Sequence, residues 1–220
     1  NELFSGDDAY GGVAYGGGIH VLMFEEATDV SSTIVDSTFS SNSLLGGSGG
    51  GMHFEWAGSP TGGVETTVIR SSFVGNRVSD SGGAANIEFQ NPSAFTGPVR
   101  TVFKDCRFER NIAGTRGGAI TYESQQAGAS LELRRCALLG NQANHSAAQG
   151  GGLWAGQANS NPQANLLITE DVDDIFPPVC YTNLTGDNGF SRQWNYGNSS
   201  ALLIDDCTIR GNYGGTSTSD

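Results

Sequence analysis

Residues 72–89 read SFVGNRVSDSGGAANIEF, and residues 107–124 read RFERNIAGTRGGAITYES. Laid one over the other, they place Phe73 on Phe108, Asn76 on Asn111 and Gly82-Gly83-Ala84 on Gly117-Gly118-Ala119. The same marks recur outward along the chain. A bulky apolar residue also stands three before Asn or Asp at Phe4/Asp7, Phe39/Asn42, Leu138/Asn141 and Ile209/Asn212. The six apolar markers are 35, 34, 35, 30 and 71 residues apart, the last close to two periods. A second mark, glycines followed by an alternating apolar stretch, starts at Ile19, Met52, Ala85, Ile120 and Leu153, spaced 33, 33, 35 and 33. Two markers that hold one period identify a repeat protein.

Each unit reads as short strands separated by turns. Behind the glycines apolar residues alternate, as at Met52, Phe54 and Trp56 or Ala85, Ile87 and Phe89. Another strand precedes each Asn, with Ile34, Val68, Phe103, Leu133 and Ile204 eight residues upstream. No segment keeps a helical period, and the turns are rich in Gly, Ser, Asn and Pro. The expected fold is all-β: a right-handed, single-stranded parallel β-helix of about six coils of ~34 residues, with residues 1–220 as one segment. Coils stack at the strand spacing of ~4.8 Å, so equivalent residues form columns. Phe39, Phe73 and Phe108 are expected inside. Asn42, Asn76, Asn111, Asn141 and Asn212 are expected as a ladder of side-chain amides at a turn, bonding to each other and to backbone outside the sheet. Asp36, Arg70, Asp105 and Arg135, continued by Asp206, stand six before each Asn. The first four alternate in sign, as an outward column does to avoid like-charge repulsion.

Composition excludes several classes of partner. The net charge is −12, and a phosphate-binding surface needs a basic patch that this chain lacks, so nucleic acid is not an expected partner. The same balance argues against an anionic membrane surface. No apolar run reaches ~18 residues, so no membrane insertion of this segment is expected. Leu, Ile, Val and Phe total 47 of 220 residues, near the boundary at which a charged chain cannot fold. Order must come from the pattern.

Residues 156–200 form a loop-rich insertion. Two readings stay open: one coil carrying a long loop, with Cys136 beneath Cys207, or two coils, with Leu184 and Asp187 as a degenerate marker. Phe4 and Asn212 both stand mid-coil, and no amphipathic cap is visible. Open sheet edges and an open core call for more chain or a stacking subunit. The expectation is a piece of a longer solenoid, or end-to-end self-association.

Phe-x-x-Asn paired with Gly-Gly-Ala-Ile resembles the repeat signature of the chlamydial polymorphic outer-membrane proteins, also found in large secreted algal and microbial β-helix proteins. Residues 73–76 with 82–84, and 108–111 with 117–120, carry the likeness most closely. Gly50-Gly51-Met52 lacks the Ala, and Leu138 and Ile209 replace Phe. The match covers about residues 4–155 and 201–212. The resemblance implies an adhesive, surface-displayed β-helix without catalysis.

An extracellular repeat with four cysteines suggests disulfides. Cys180 with Cys207 is the preferred pair, leaving Cys106 with Cys136; the alternative is three buried thiols acting as small apolar wedges. Asn144, Asn183 and Asn198 stand in glycosylation sequons. Glu55, Glu88 and Glu123 form an outward carboxylate column beside His20, His53, Asn86 and Thr121, a candidate face for a divalent cation or sugar. Its alternative is a solvated polar face. Asp171, Asp173 and Asp174, with Glu170 and Asp187, are a calcium candidate of hard oxygen ligands without EF-hand spacing. Trp154, Trp194 and Tyr196 offer aromatic faces to a sugar.

The function expected is a non-catalytic, extracellular structural or adhesive module of a cell-surface or filament-forming protein. It needs no cofactor, with calcium as the exception to test. Its partners are itself, glycans or host and cell-surface proteins. The alternatives are a polysaccharide lyase or hydrolase using the glutamate column, or a carbohydrate-binding module.

Overall fold

The computed structural model describes residues 2–4, 14–23, 29–56, 62–89, 98–124, 129–144, 148, 150–156, 163–169, 190–193 and 199–214. All regular structure among these is β, the strands pair in parallel, and the chain is a β-solenoid. The coils 29–56, 62–89 and 98–124 are described without a break, and the main sheets hold five or six strands.

The coil 62–89 shows the plan. Its walls are Val64–Ile69, Ser72–Val74, Arg77–Val78 and Ala85–Phe89. Val68 lies between Ile34 and Phe103, Phe73 between Phe39 and Phe108, and Ile87 between Phe54 and Tyr122. Alternation along each wall sends these side chains to one side, where they form a continuous apolar core. The Phe39 and Phe73 rings stack 4.8 Å apart at 8°, and Phe73 and Phe108 stack 4.9 Å apart at 6°. Parallel rings at that spacing follow from the coil rise, and the wall beside them supplies an edge contact: Phe103 meets Phe108 at 78°.

Two of the corners in each coil bracket the short strand that carries the Phe column. Asp36, Arg70, Asp105, Arg135 and Asp206 all occupy the left-handed region, with φ between 48° and 56°. The residue before each Asn does the same at Ser41, Gly75, Arg110, Gly140 and Gly211. At the first corner the side chains point to solvent and pair between coils. Arg70 donates twice to Asp36, at 2.7 and 2.8 Å, and Arg135 donates twice to Asp105, at 2.6 and 2.9 Å. A second charge ladder, not read from the sequence, runs along the neighbouring wall. Arg100 donates to Glu132 at 2.7 Å and to Glu65 at 3.2 Å.

At the second corner the asparagines are buried and bonded to one another. The Nδ2 groups of Asn42, Asn76 and Asn111 donate to the Oδ1 of Asn76, Asn111 and Asn141, each at 2.9 Å, and Asn141 Nδ2 donates to Asn212 Oδ1 at 2.8 Å. The backbone N–H of each donates to the same oxygen. From Asn76 onward, each Nδ2 also donates to the carbonyl of Phe39, Phe73, Phe108 or Leu138 in the coil before. One side chain therefore joins three coils.

The cysteines require a correction. Cys106, Cys136 and Cys207 are free, buried thiols, so the expected Cys106–Cys136 and Cys180–Cys207 disulfides are not formed; Cys180 itself lies outside the described residues. Their column begins as serine: Ser71 Oγ donates to the Ile69 carbonyl at 2.9 Å. Cys106, Cys136 and Cys207 likewise donate to the carbonyls of Lys104, Arg134 and Asp205, at 3.3, 3.4 and 3.1 Å. Coil spacing satisfies the Cα separation for a disulfide, but parallel Cα–Cβ bonds hold Cβ atoms about 4.8 Å apart, beyond the ~3.5–4.5 Å a disulfide takes. Bonding to Cys106 and Cys207, together with burial, pushes the Cys136 thiol up.

Leu133 pairs with Ile204, and the Cys136 N–H meets Cys207 Sγ at 3.2 Å, so 199–214 follows directly on 130–143 in the stack. The insertion is more than a loop, however. Its strand Phe190–Gln193 pairs with Leu153–Gly156, and its strand Gln163–Thr169 pairs with the far edge of Ser199–Asp205. Gln163–Thr169 thus sits one layer beyond a strand that follows it in sequence. Leu184 and Asp187 lie outside the described residues.

Candidate functional site

The wall behind the glycines carries two polar columns. Register places His20, His53, Asn86, Thr121 and Trp154 in one, and Leu22, Glu55, Glu88, Glu123 and Gly156 in the other. Strand alternation points both away from the apolar core, yet His53, Asn86, Thr121 and Trp154 are buried. The cause is the turn before each strand. Gly49, at φ 76°, folds the backbone so closely over the wall that a Cβ there would stand 2.8 Å from the His53 Cβ. Thr121 is covered similarly and donates to the Arg116 carbonyl at 3.0 Å. The Arg116 guanidinium caps Trp154, 4.7 Å above its ring. Trp154 is therefore not open to sugar stacking, and Trp194 and Tyr196 lie outside the described residues.

The glutamate column stays partly exposed. Arg116 approaches Glu123 at 3.8 Å, and Glu55 faces the neighbouring column. Three rings converge there. Pairing of Ala14–Tyr15 with Gly47–Ser48 sets the Tyr15 ring 4.6 Å from His53 and 5.4 Å from His20. His20 and His53 are 5.0 Å apart, edge to face. His53 is completely buried, and its Nδ1 is 3.0 Å from Asn86 Nδ2. Its Nε2 has no hydrogen-bond partner, and a Glu55 carboxylate oxygen lies 3.5 Å away. Ligand atoms of His20, His53 and Glu55 lie within 4.8 Å of one another.

Electrostatics fix the charge states. Burial, reinforced by His20, lowers the His53 pKa to about 3, so the ring is neutral at pH 7 and its contact with Glu55 is not an ion pair. Partial desolvation also lowers the exposed His20, with Glu55 opposing. Burial and then the carboxylates of Glu55, Glu88 and Asp80 push the Tyr15 phenol up. The cluster thus combines two neutral imidazoles with a negative field.

Of the sequence candidates, register brings Glu55, Glu88 and Glu123 into one column, and Asn144 is exposed. Asn183, Asn198, Asp171, Asp173 and Asp174 lie outside the described residues. No periodic marker in the sequence signals Tyr15, because the turn that brings it to His53 lies outside the repeat pattern.

Fold and ladders define a parallel β-solenoid bound together by buried asparagines. Compared with family models, curated proteins and solved structures, the chain matches none.

Proposed function

We propose that this chain is a non-catalytic structural or adhesive module of an extracellular surface or filament-forming protein. One observation carries the reading: its most regular polar residues are spent on bonds between coils. The asparagine column, the Asp/Arg corner and the Arg100 ladder all join neighbouring layers, which makes a stiff rod. Stiffness suits display, and repeated columns suit many weak contacts at once. The likeness to polymorphic outer-membrane protein repeats points the same way.

The rival is a polysaccharide-active enzyme using Glu55, Glu88 and Glu123. Incubation with neutral and acidic polysaccharides, followed by assays for new reducing ends and unsaturated sugars, separates the two. The structural reading expects no product, with binding to cell surfaces or rod assembly unchanged in Glu88→Gln. Turnover that disappears in Glu88→Gln overturns it.

A further inference from the structure

The cluster at His20, His53 and Glu55 has a feature that the rod does not explain. His53 is fully buried, yet its Nε2 is left without a hydrogen bond, 3.5 Å from a carboxylate oxygen. An unsatisfied buried nitrogen costs stability unless something else meets it. The spacing indicates what that is. Two ligands each about 2.1 Å from a tetrahedral ion lie about 3.4 Å apart, close to the observed separation. His20, on the adjacent coil and exposed, is near enough to supply a third ligand by side-chain rotation.

We propose that His20, His53 and Glu55 bind a late first-row divalent metal ion, zinc foremost, which ties the strand Ile19–Met23 to Met52–Trp56. The donor set decides the ion: two imidazoles and one carboxylate suit zinc, nickel or copper, whereas calcium and magnesium want oxygen. Glu88 and Asp80, whose charges reach Tyr15, supply a field that favours a cation. The fourth position is left for water or a partner's ligand.

Asn86 acts as the positioning residue. In the metal-free arrangement its amide nitrogen faces His53 Nδ1, which places the ring proton on Nε2. Metal binding requires the opposite tautomer, with Nδ1–H donating to the Asn86 carbonyl oxygen. A half-turn of the amide provides it. Asn86→Asp presents only acceptors and holds that tautomer permanently.

The test is zinc titration of chelator-stripped protein by calorimetry, with cobalt as a spectroscopic probe of tetrahedral nitrogen and oxygen ligation. One equivalent of zinc is expected to bind and to raise the thermal midpoint, while equal calcium does neither. His20→Ala, which alters an exposed side chain, and Glu55→Gln should each weaken zinc binding at least tenfold. Asn86→Asp should tighten it, and Asn86→Ala should weaken it about tenfold. Replacing His145, the remaining histidine, should change nothing. Zinc binding unaltered in both His20→Ala and Glu55→Gln overturns the assignment, as does wild-type protein that takes up no zinc or cobalt at micromolar concentration.

Discussion

Asn111 makes four hydrogen bonds through one side chain: two donated, to Phe73 O and Asn141 Oδ1, and two accepted, from the Asn76 N–H and Nδ2. Only an amide has two donors and a two-fold acceptor in that geometry. Asn111→Ala orphans buried partners and should cost about 2–5 kcal/mol in urea unfolding. Asn111→Asp keeps the shape but loses the donors and buries a charge, which raises its pKa in the folded state. Relative to wild type it should therefore be less stable at pH 7 than at pH 5. His53 gives the opposite slope in the wild-type protein. Its folded pKa of about 3 lies below the unfolded value, so the unfolded chain binds more protons across that interval, and stability falls as pH drops below about 6.5. With chelator present, the loss between pH 7 and pH 5 should be about 2 kcal/mol and should shrink in His53→Gln.

At the scale of the element, two glycines separate close approach from backbone freedom. A Cβ on Gly118 would overlap the Gly151 carbonyl oxygen and come within 2.5 Å of the Gln142 backbone nitrogen. Neither is a flexible side-chain end, so Gly118→Ala should cost about 3 kcal/mol or more. Gly75 sits at φ 64°, but a Cβ there would meet only Ser41 Oγ, 4.0 Å away, and Ser41 and Arg110 hold the same corner at φ 54°. Gly75→Asn should stay within about 1 kcal/mol of wild type, since Asn tolerates the left-handed region. Thermal unfolding of the two variants checks both outcomes. The thiols belong to this scale too, because their wall strands shield them: iodoacetamide should modify Cys106, Cys136 and Cys207 only after denaturation.

The molecule as a whole behaves as a stack of nearest neighbours. Excising residues 73–107, one period of 35, joins Ser72 to Phe108 and preserves every column's register. A shorter, less stable solenoid with an unchanged type of β circular dichroism is expected. Excision of 73–90, half a period, should abolish folding. The one-period deletion also removes Asp105 and sets Arg70 beside Arg135. Added salt should stabilise that variant more than wild type, because it screens the new repulsion.

The repeat marks at Phe73, Asn76 and Gly83 were enough to establish the period, the parallel walls and which residues share a column. Translation along one axis brings equal positions together whatever the path between them. That rule is silent on anything set by direction or by chain crossing. The cysteines fall in one column, but Cβ vectors that run parallel keep their sulfurs unjoined. His53 alternates outward, yet the Gly49 turn covers it and the Tyr15 strand closes over it. Gln163–Thr169 pairs out of chain order because a sheet edge accepts any strand that reaches it, and no periodic signal records that meeting.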